Sequence, residues 1–429
     1  MAKRQKDCSI SHIVSLSSKF SIFSPIHKPQ AIIIMNMDIP SPIQLLQLPS
    51  YFMPMGGEFC MDQSVVLKKA GVDVSIVANV ILPFRLAFQL HRYPLFPVIR
   101  EENGIRVHRF FQRNIPKSDK ANLQRWIDTT YQMISSYIQQ YGKPDLIHAH
   151  SWQCAGYVCH LIKEKYQIPY VITEHSGSLN PRSNRLNELL SDSRLSDKME
   201  QAYNHANAII GVSNEVLDGI RTFTHSNVPM FSISNLIDVD FFSPPLTRVS
   251  HNEFVFSAAN SNLPVKAYDI LFEAFDLLCE QKENVRLRIA GNGFETRAGR
   301  QLIAQCIHHD KIDFLGWQSP EGVRQLLWEA DAFVLSSCEE SQSIAVLEAM
   351  STGLPIVGTH VIPSEVLTPD VGYRVPINEP QLLATAMFNM INNHHHFEPS
   401  TIISHAHHIA NPKRITEQLL SVYNTILQR

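Results

Sequence analysis

The sequence predicts two doubly wound α/β domains in series. Three features lead to that reading. Short apolar runs alternate with helix-period stretches from residue 43 to the end, the order expected of parallel strands covered by helices on both faces. The rhythm breaks near 236–250, where SPPLTRVSHNE has linker composition, and then restarts. The length of 429 residues suits about two domains of ordinary size.

The first half opens with IQLLQL (43–48), an apolar run short enough for a strand. Asp62–Ala70 reads as a helix closed by Gly71. VDVSIVANV (72–80) alternates apolar and polar residues as a strand does. Residues 121–141 place Leu123, Trp126, Ile127, Ile134, Tyr137, Ile138 and Tyr141 at helical spacing. DLIHAH (145–150) is a strand, 153–166 a helix, PYVIT (169–173) a strand, and AIIGVS (208–213) and MFSIS (230–234) continue the alternation. In the second half FVFSAA (254–259), VRLRIAG (285–291), IDFLG (312–316), AFVLSS (332–337) and PIVGT (355–359) are the strands. Helices are expected at 266–282, 296–308, from Ser319-Pro320, at 344–351, 379–392 and 412–428. Ser319 is a natural N-cap, with Pro320 at the first helical position.

Composition sets limits. Hydrophobic residues make up 44% and charged residues 18%, enough for a sizeable core. The formal net charge of −3 gives no global basic field for nucleic acid. Seven scattered cysteines fit a reducing compartment. Cys154, Cys159 and His160 lack the second pair of a zinc set and read as helix packing. No apolar run reaches the length of a membrane-spanning helix. Residues 1–36 read as a disordered extension, because SSKFSIFSPIHKPQ is too polar and too broken by proline for a secretory segment.

Ligands of doubly wound sheets bind beyond the carboxyl ends of the strands. The stretch SSCEESQSIAVLEAMSTGLP (336–355) places Glu340 in a strand–helix loop and Glu348 inside the helix that follows. Backbone N–H groups of Gln342, Ser343 and Ile344 open that helix and suit phosphate or sugar oxygens. Glu348 could accept hydrogen bonds from a ribose. Taken alone, the two carboxylates read as a solvated loop residue and a helix-surface glutamate. Lys266 begins another helix after a strand, where a lysine opposes the dipole and calls for an anion; an exposed surface lysine is the plain alternative. Gly56 and Gly57 follow the first strand and allow close backbone approach, without the spacing of a dinucleotide fingerprint. Gly291-Asn292-Gly293 fits a close approach to a base or a simple tight turn.

Together these segments resemble the retaining family-4 glycosyltransferases of the GT-B fold. ESQSIAVLEAMSTGLP resembles that family's E-x7-E signature, KAYDILFEAF its K-G-x-D-x-L-x-x-A-F helix, and RIAGNGFE its I-x-G-x-G-P turn. SNLIDVDFFSP (234–244) is similar to its N-G-V-D-x-x-x-F-x-P segment, PDLIHAHS (144–151) to its histidine motif, and QLPSYFMPMGGEFCMDQSVVLKKAGVDVSIV to its opening strand, glycine loop and helix. The order is the family's, over nearly all of 43–429. The resemblance implies two Rossmann-like domains facing across a cleft. Residues 43–235 would form the acceptor domain, 236–250 the linker, 251–411 the donor domain, and 412–429 a closing helix returning to the first domain.

The resemblance also implies roles. Lys266 would neutralise the donor diphosphate, Glu348 hold the nucleotide ribose, and Glu340 contact the donor sugar. Gly56, Gly57 and the amides of Gln342, Ser343 and Ile344 would bind the donor. His150 would lie near the sugar and acceptor, with a buried structural histidine as the alternative. His148 shares its face, and His175 and Glu174 are secondary candidates. Two departures stand out. The family's arginine before the lysine has no counterpart in Asn260-Ser261-Asn262, a missing charge worth roughly a few kcal/mol in a cleft. Arg182 or Arg185 is the candidate to replace it. Where the family has a Gly-Phe-Gly type loop, this chain has Ser341-Gln342-Ser343.

The implied reaction moves a sugar from a nucleotide-diphosphate sugar to an acceptor hydroxyl with retention, in polysaccharide or other cell-surface glycan synthesis. No cofactor or metal is expected, since no D-x-D follows a strand. The acceptor would be a glycan or lipid-linked glycan, met by the first domain. Residues 78–120 carry eight Lys or Arg against three acidic residues, interleaved with Phe84, Phe88, Tyr93, Phe96, Phe110 and Phe111. That pattern fits peripheral contact with an anionic membrane face and equally a solvated basic surface over a core. A cytoplasmic enzyme working at the inner membrane face is the corresponding expectation. His394–His396, His405, His407 and His408 read as polar surface near a helix end. The alternatives are a degenerate nucleotide-sugar binder and a GT-B sugar-nucleotide epimerase.

Overall fold

The computed structural model describes residues 41–83, 86–182, 186–187, 193–248 and 252–428. The extension expected at 1–36 lies outside them, as do Phe84 and Arg185. The first domain contains β1 (Gln44–Pro49), α1 (Glu58–Lys69), β2 (Asp73–Leu82), β3 (Val98–Glu102), β4 (Ile105–Arg113), α2 (Asp119–Tyr141) and β5 (Leu146–His150). It continues with α3 (Tyr157–Tyr166), β6 (Tyr170–Glu174), α4 (Ser193–Asn204), β7 (Ala208–Gly211), α5 (Asn214–Arg221) and β8 (Met230–Ser232). Its sheet has the order β3-β4-β2-β1-β5-β6-β7-β8, parallel except for the β3–β4 pair.

The second domain contains β9 (Phe254–Ala259), α6 (Tyr268–Cys279), β10 (Val285–Ala290), α7 (Arg297–Ile303), β11 (Ile312–Gly316), α8 (Pro320–Trp328), β12 (Ala332–Leu335) and α9 (Ile344–Ser351). β13 (Ile356–Thr359), β14 (Gly372–Val375), α10 (Pro380–Asn393), α11 (Pro399–Ala410) and α12 (Pro412–Leu427) complete the chain. Its sheet, β11-β10-β9-β12-β13-β14, is parallel throughout. The two doubly wound domains agree with the fold class the sequence predicts.

The closing helix does return to the first domain. Ile415, Leu419, Val422 and Tyr423 on α12 join the core formed by β1, β2, β4 and α1. Ile237 N–H donates to the Ala410 carbonyl at 3.1 Å, so the two crossings between the domains are bonded to each other.

Several elements were not anticipated. The β3–β4 hairpin turns through Asn103 (φ 50) and Gly104 (φ 76), the Asn-Gly pair that suits a two-residue hairpin loop. Its polar strands carried too weak an alternation to stand out. The helix expected at 296–308 ends at Ile303. The buried Asp276 carboxylate accepts the Ile307 and His308 N–H groups at 2.9 and 2.8 Å, holding a turn where a helix would leave Asp276 unsatisfied. The expected helix at 153–166 begins with a π turn, Trp152–Gly156. In the basic 78–120 segment, Tyr93 and Phe111 belong to the core, and Arg109 pairs with Glu102 at 2.7 Å. Among the described residues there, the exposed large apolar side chains are Ile81, Phe88, Leu90, Leu95, Phe96, Ile99 and Ile115.

Candidate functional site

The carboxyl ends of β1, β5, β6, β9, β10, β12 and β13 deliver the loops that form the site. After β1, Gly56 and Gly57 take φ of 94 and 84, and Gly57 is the N-cap of α1. A Cβ on Gly57 would stand 2.3 Å from the Tyr51 carbonyl oxygen, so the loop can be this tight only with glycine.

After β9, a single 3-10 turn, Pro264–Lys266, brings Lys266 to the head of α6. After β12, the loop turns Glu340 towards it. Lys266 Nζ and Glu340 Oε1 are 2.6 Å apart, with side chains 17% and 8% exposed. The structure therefore joins two sequence candidates that lie 74 positions apart. Ala267 holds φ 46 at the N-cap of α6, and Ser343 holds φ 70 at the N-cap of α9. Both occupy glycine positions of the family motifs they resemble, in backbone that L-residues adopt at a cost of about 1 kcal/mol or more.

The loop 340–343 is bonded on three sides. The Gln342 side chain accepts from Asn235 N–H at 2.8 Å and donates to Ser234 Oγ at 2.6 Å. Ser213 Oγ donates to the Ser341 carbonyl at 2.8 Å. Asn180 Nδ2 donates to the Glu340 carbonyl at 3.1 Å. The Gln342 amide side chain thus serves the domain crossing, leaving its backbone for any ligand. Ile344 is 37% exposed at the head of α9.

Glu348 lies one turn into α9. Burial, then the charge of Asp62 on α1, raise its carboxyl to about 8. Crowding by neighbouring residues, then the charges of Glu58 and Asp238, raise Asp62 to about 6, although its side chain is exposed on α1. Asp62 and Glu348 come from different domains, and the charge of one raises the carboxyl of the other.

His150 is fully enclosed. Its Nε2 lies 2.7 Å from Gln47 Oε1 and its Nδ1 3.0 Å from His175 Nε2. Because Gln47 Oε1 only accepts, His150 Nε2 carries the proton and Nδ1 accepts from His175. Both ring nitrogens are thus engaged inside the first domain. His175 is the outermost of the row, stacked on Phe59 with ring centroids 3.9 Å apart. His148 bridges Tyr423 OH at 2.7 Å and Thr173 Oγ1 at 2.6 Å, pinning α12 to β5 and β6. Burial and the neighbouring rings hold His150 well below the usual imidazole range, and burial with His175 lowers His148 to about 3. Burial lowers His175 to about 3, partly opposed by the nearby Asn235 side chain, which favours the protonated ring. All three are neutral at pH 7. Glu174 accepts the His175 and Ser176 N–H groups at 2.9 and 3.0 Å and Tyr203 OH at 2.9 Å. It shapes the turn after β6.

Asn260, Ser261 and Asn262 pack on the Gly291–Gly293 turn. Asn262 N–H donates to the Asn292 carbonyl at 2.7 Å, and a Cβ on Gly291 would meet the Asn260 carbonyl at 2.1 Å. Arg182 pairs with Glu215 at 2.7 Å and donates to the His360 carbonyl at 3.4 Å. It is committed there and does not join Lys266. Sequence reasoning missed Asn180, Ser213, Gln47, Asp62 and Tyr423. Only Asn180 carried a signal, its place in a polar loop just beyond a buried strand.

The fold and site define a two-domain α/β protein with a polar cleft at opposed strand ends. Residues 58–241 match the Glycosyltransferase Family 4 profile and residues 252–393 the Glycosyl transferases group 1 profile. The chain belongs to this glycosyltransferase family. It is 25% identical over 248 residues to N-acetyl-alpha-D-glucosaminyl L-malate synthase of Bacillus anthracis, covering 55% of this chain and 62% of that protein. It is 23% identical over 327 residues to the putative teichuronic acid biosynthesis glycosyltransferase TuaC of Bacillus subtilis, covering 73% of this chain and 79% of TuaC. Sucrose-phosphate synthase from Thermosynechococcus elongatus shares the fold at TM-score 0.74 and 18% identity, covering 90% of this chain and 99% of that one. Anabaena HepE in complex with UDP-glucose shares it at TM-score 0.66 and 17% identity, covering 89% of this chain and 100% of HepE.

Proposed function

We propose that this protein is a retaining glycosyltransferase that moves a sugar from a nucleotide-diphosphate sugar to an acceptor hydroxyl in glycan synthesis. The observation that carries the proposal is the Lys266–Glu340 pair at 2.6 Å, beside the helix that bears Glu348. Lys266 holds the departing diphosphate, the amides opening α9 bind phosphate or sugar oxygens, and Glu340 holds the donor sugar. Glu348 holds the ribose. The Gly56–Gly57 backbone meets the donor from the opposite wall. In the reaction the bond from the anomeric carbon to the phosphate oxygen breaks. The acceptor oxygen bonds to the same face, and its proton passes to the departing phosphate. Catalysis rests on positioning and on stabilising the charge of the leaving group. A UDP-sugar is a fitting first donor to try, given the UDP-glucose complex of HepE. The polysaccharide role of TuaC supports a glycan acceptor.

The test is a thermal-shift screen of UDP-, GDP- and ADP-sugars followed by transfer assays. A donor at a hundred times its Kd adds about 2.7 kcal/mol. Glu340→Ala and Lys266→Ala should abolish transfer, and full activity in both would sink the assignment. Donor isomerisation without acceptor would favour an epimerase instead. Binding without turnover on any acceptor would favour a degenerate binder.

We further propose that the acceptor is lipid-linked and reached at an anionic membrane surface. Phe88, Leu90, Leu95 and Phe96 are each more than half exposed, with exposed Arg92 and Arg100 nearby. No helix among the described residues is long and apolar enough to cross a membrane, so contact would be peripheral. Sedimentation with phosphatidylserine vesicles should fall in a Leu95→Ser, Phe96→Ser double variant. Binding that the double variant leaves unchanged would refute this surface.

A further inference from the structure

The backbone that carries Glu340 is held from the other domain. Asn180 is wholly buried in the loop after β6. Its Nδ2 donates to two carbonyls of the second domain, Glu340 and Val361, each at 3.1 Å. Its Oδ1 accepts Arg182 N–H at 3.0 Å, which fixes the amide so that its nitrogen faces those carbonyls. The carbonyls belong to the loops after β12 and β13, adjacent strands in the second sheet. One side chain of the first domain therefore ties both strand ends at the site. Ser213 Oγ holds the next carbonyl, that of Ser341, at 2.8 Å. Gly177 leaves no slack between the loops, since a Cβ there would stand 3.0 Å from the Glu340 carbonyl carbon and 2.9 Å from Glu339 Cγ.

We propose that Asn180 is a positioning residue for Glu340. Through two amide hydrogen bonds it sets the loop backbone, and Lys266 then fixes the carboxylate at the loop's end. Lys266, Ile344 and Glu348 lie wholly within the second domain. The donor contacts of Lys266 and Glu348 therefore do not pass through Asn180, whereas the placement of Glu340 for transfer does. The first domain completes the sugar end of the site only when it is seated on the second. This inference rests on the proposed function for its catalytic consequence but not for the clamp itself.

Two measurements on the full chain separate these. Without nucleotide, hydrogen exchange is followed in peptides covering 336–347 and 174–182 for wild type, Asn180→Ala and Asn180→Asp. The Asp variant keeps the acceptor for Arg182 N–H and replaces the two-proton donor with a carboxyl that, ionised, repels both carbonyls and, protonated, can donate to only one. Exchange in both peptides should rise about tenfold, with β1–β2 and β9–β10 unchanged. Unchanged exchange in 336–347 overturns the clamp, as does uniform acceleration, the mark of general destabilisation. With whichever of UDP-glucose, GDP-mannose and ADP-glucose the wild type turns over, kcat should fall about tenfold or more while the donor KM stays within about twofold. The loss should shrink in a Glu340→Gln background, because Asn180 acts through Glu340. A raised KM at unchanged kcat, or full additivity with Glu340→Gln, overturns the positioning role. If the wild type turns over no nucleotide sugar, the proposed function fails and exchange alone decides the clamp. Should both Asn180 variants fail to fold, Ser213→Ala removes the bond to Ser341 together with the N-cap bond from Val216 N–H; exchange in 336–347 should then rise while peptides beyond α5 stay protected, and unchanged exchange in 336–347 overturns the clamp.

Discussion

Glu348→Gln should stabilise the protein, and the gain should depend on pH with a defined sign. The folded carboxyl is raised from an ordinary 4.5 to about 8, first by burial and then by Asp62. The folded state therefore binds this proton more tightly than the unfolded state. Below about 4.5 both states are protonated and the side chain costs nothing. As pH rises towards 8 the unfolded carboxyl ionises while the folded one resists, so stability falls across this window and levels off above it. Each tenfold change in the proton equilibrium is about 1.36 kcal/mol, so the ceiling is on the order of 4–5 kcal/mol. The carboxyl keeps part of its solvent at the cleft, and about 2 kcal/mol is the working expectation. Glutamine keeps the shape and removes the titration. Urea unfolding at pH 5 and pH 8.5 should show a gap between Glu348→Gln and wild type that widens by about 2 kcal/mol at the higher pH. In an Asp62→Asn background the widening should be smaller, since the second cause is gone. A gap of the same size at both pH values would refute the reasoning.

Other outcomes follow from the same geometry. Under the proposed function, a ribose binds the ionised Glu348, so nucleotide affinity measured by calorimetry should tighten between pH 6 and pH 9, in the range of its raised ionisation near 8. A flat profile would argue against the ribose role. Ala267→Gly and Ser343→Gly relieve positive-φ backbone worth about 1 kcal/mol, less the entropy of glycine, so each should gain about 0.5 kcal/mol in urea unfolding. A loss in both would contradict the backbone reading. Lys266→Met strands the nearly buried Glu340 carboxylate and should cost about 2–3 kcal/mol, recovered largely by adding Glu340→Gln. No recovery would mean the pair is not the coupling. Tyr423→Phe removes the hydroxyl on His148 and should cost about 1–2 kcal/mol, seen as earlier release of α12 in hydrogen exchange. Unaltered protection of α12 would show that this bond does not hold the helix.

Much of the fold was legible because it is written in local pattern. Buried parallel strands are apolar runs, and FVFSAA and IDFLG occupy the very residues expected. Ser319 caps α8 through the Gly322 N–H, as a serine before a proline should. The β3–β4 hairpin was missed because edge strands carry charge and little hydrophobic alternation. Helix α7 was overextended because the residue that stops it, Asp276, comes from another helix.

The sequence by itself determined the two doubly wound domains, the glycine loop after β1, and the identities of Lys266, Glu340 and Glu348 as candidates. Each depends on residues near one another in the chain, where periodicity, capping and motif spacing act. The tertiary structure alone decided which candidates meet. It paired Lys266 with Glu340 across 74 positions, enclosed His150 between Gln47 and His175, and committed Arg182 to Glu215. It also placed Asn180 beneath Glu340 and brought the charge of Asp62 within reach of Glu348. The first three depend on how distant strands of one sheet are ordered side by side, and the contact of Asn180 with Glu340 on how the two domains sit against each other. A single strand or helix carries no record of the charge or hydrogen-bond donor that another domain will bring to its end.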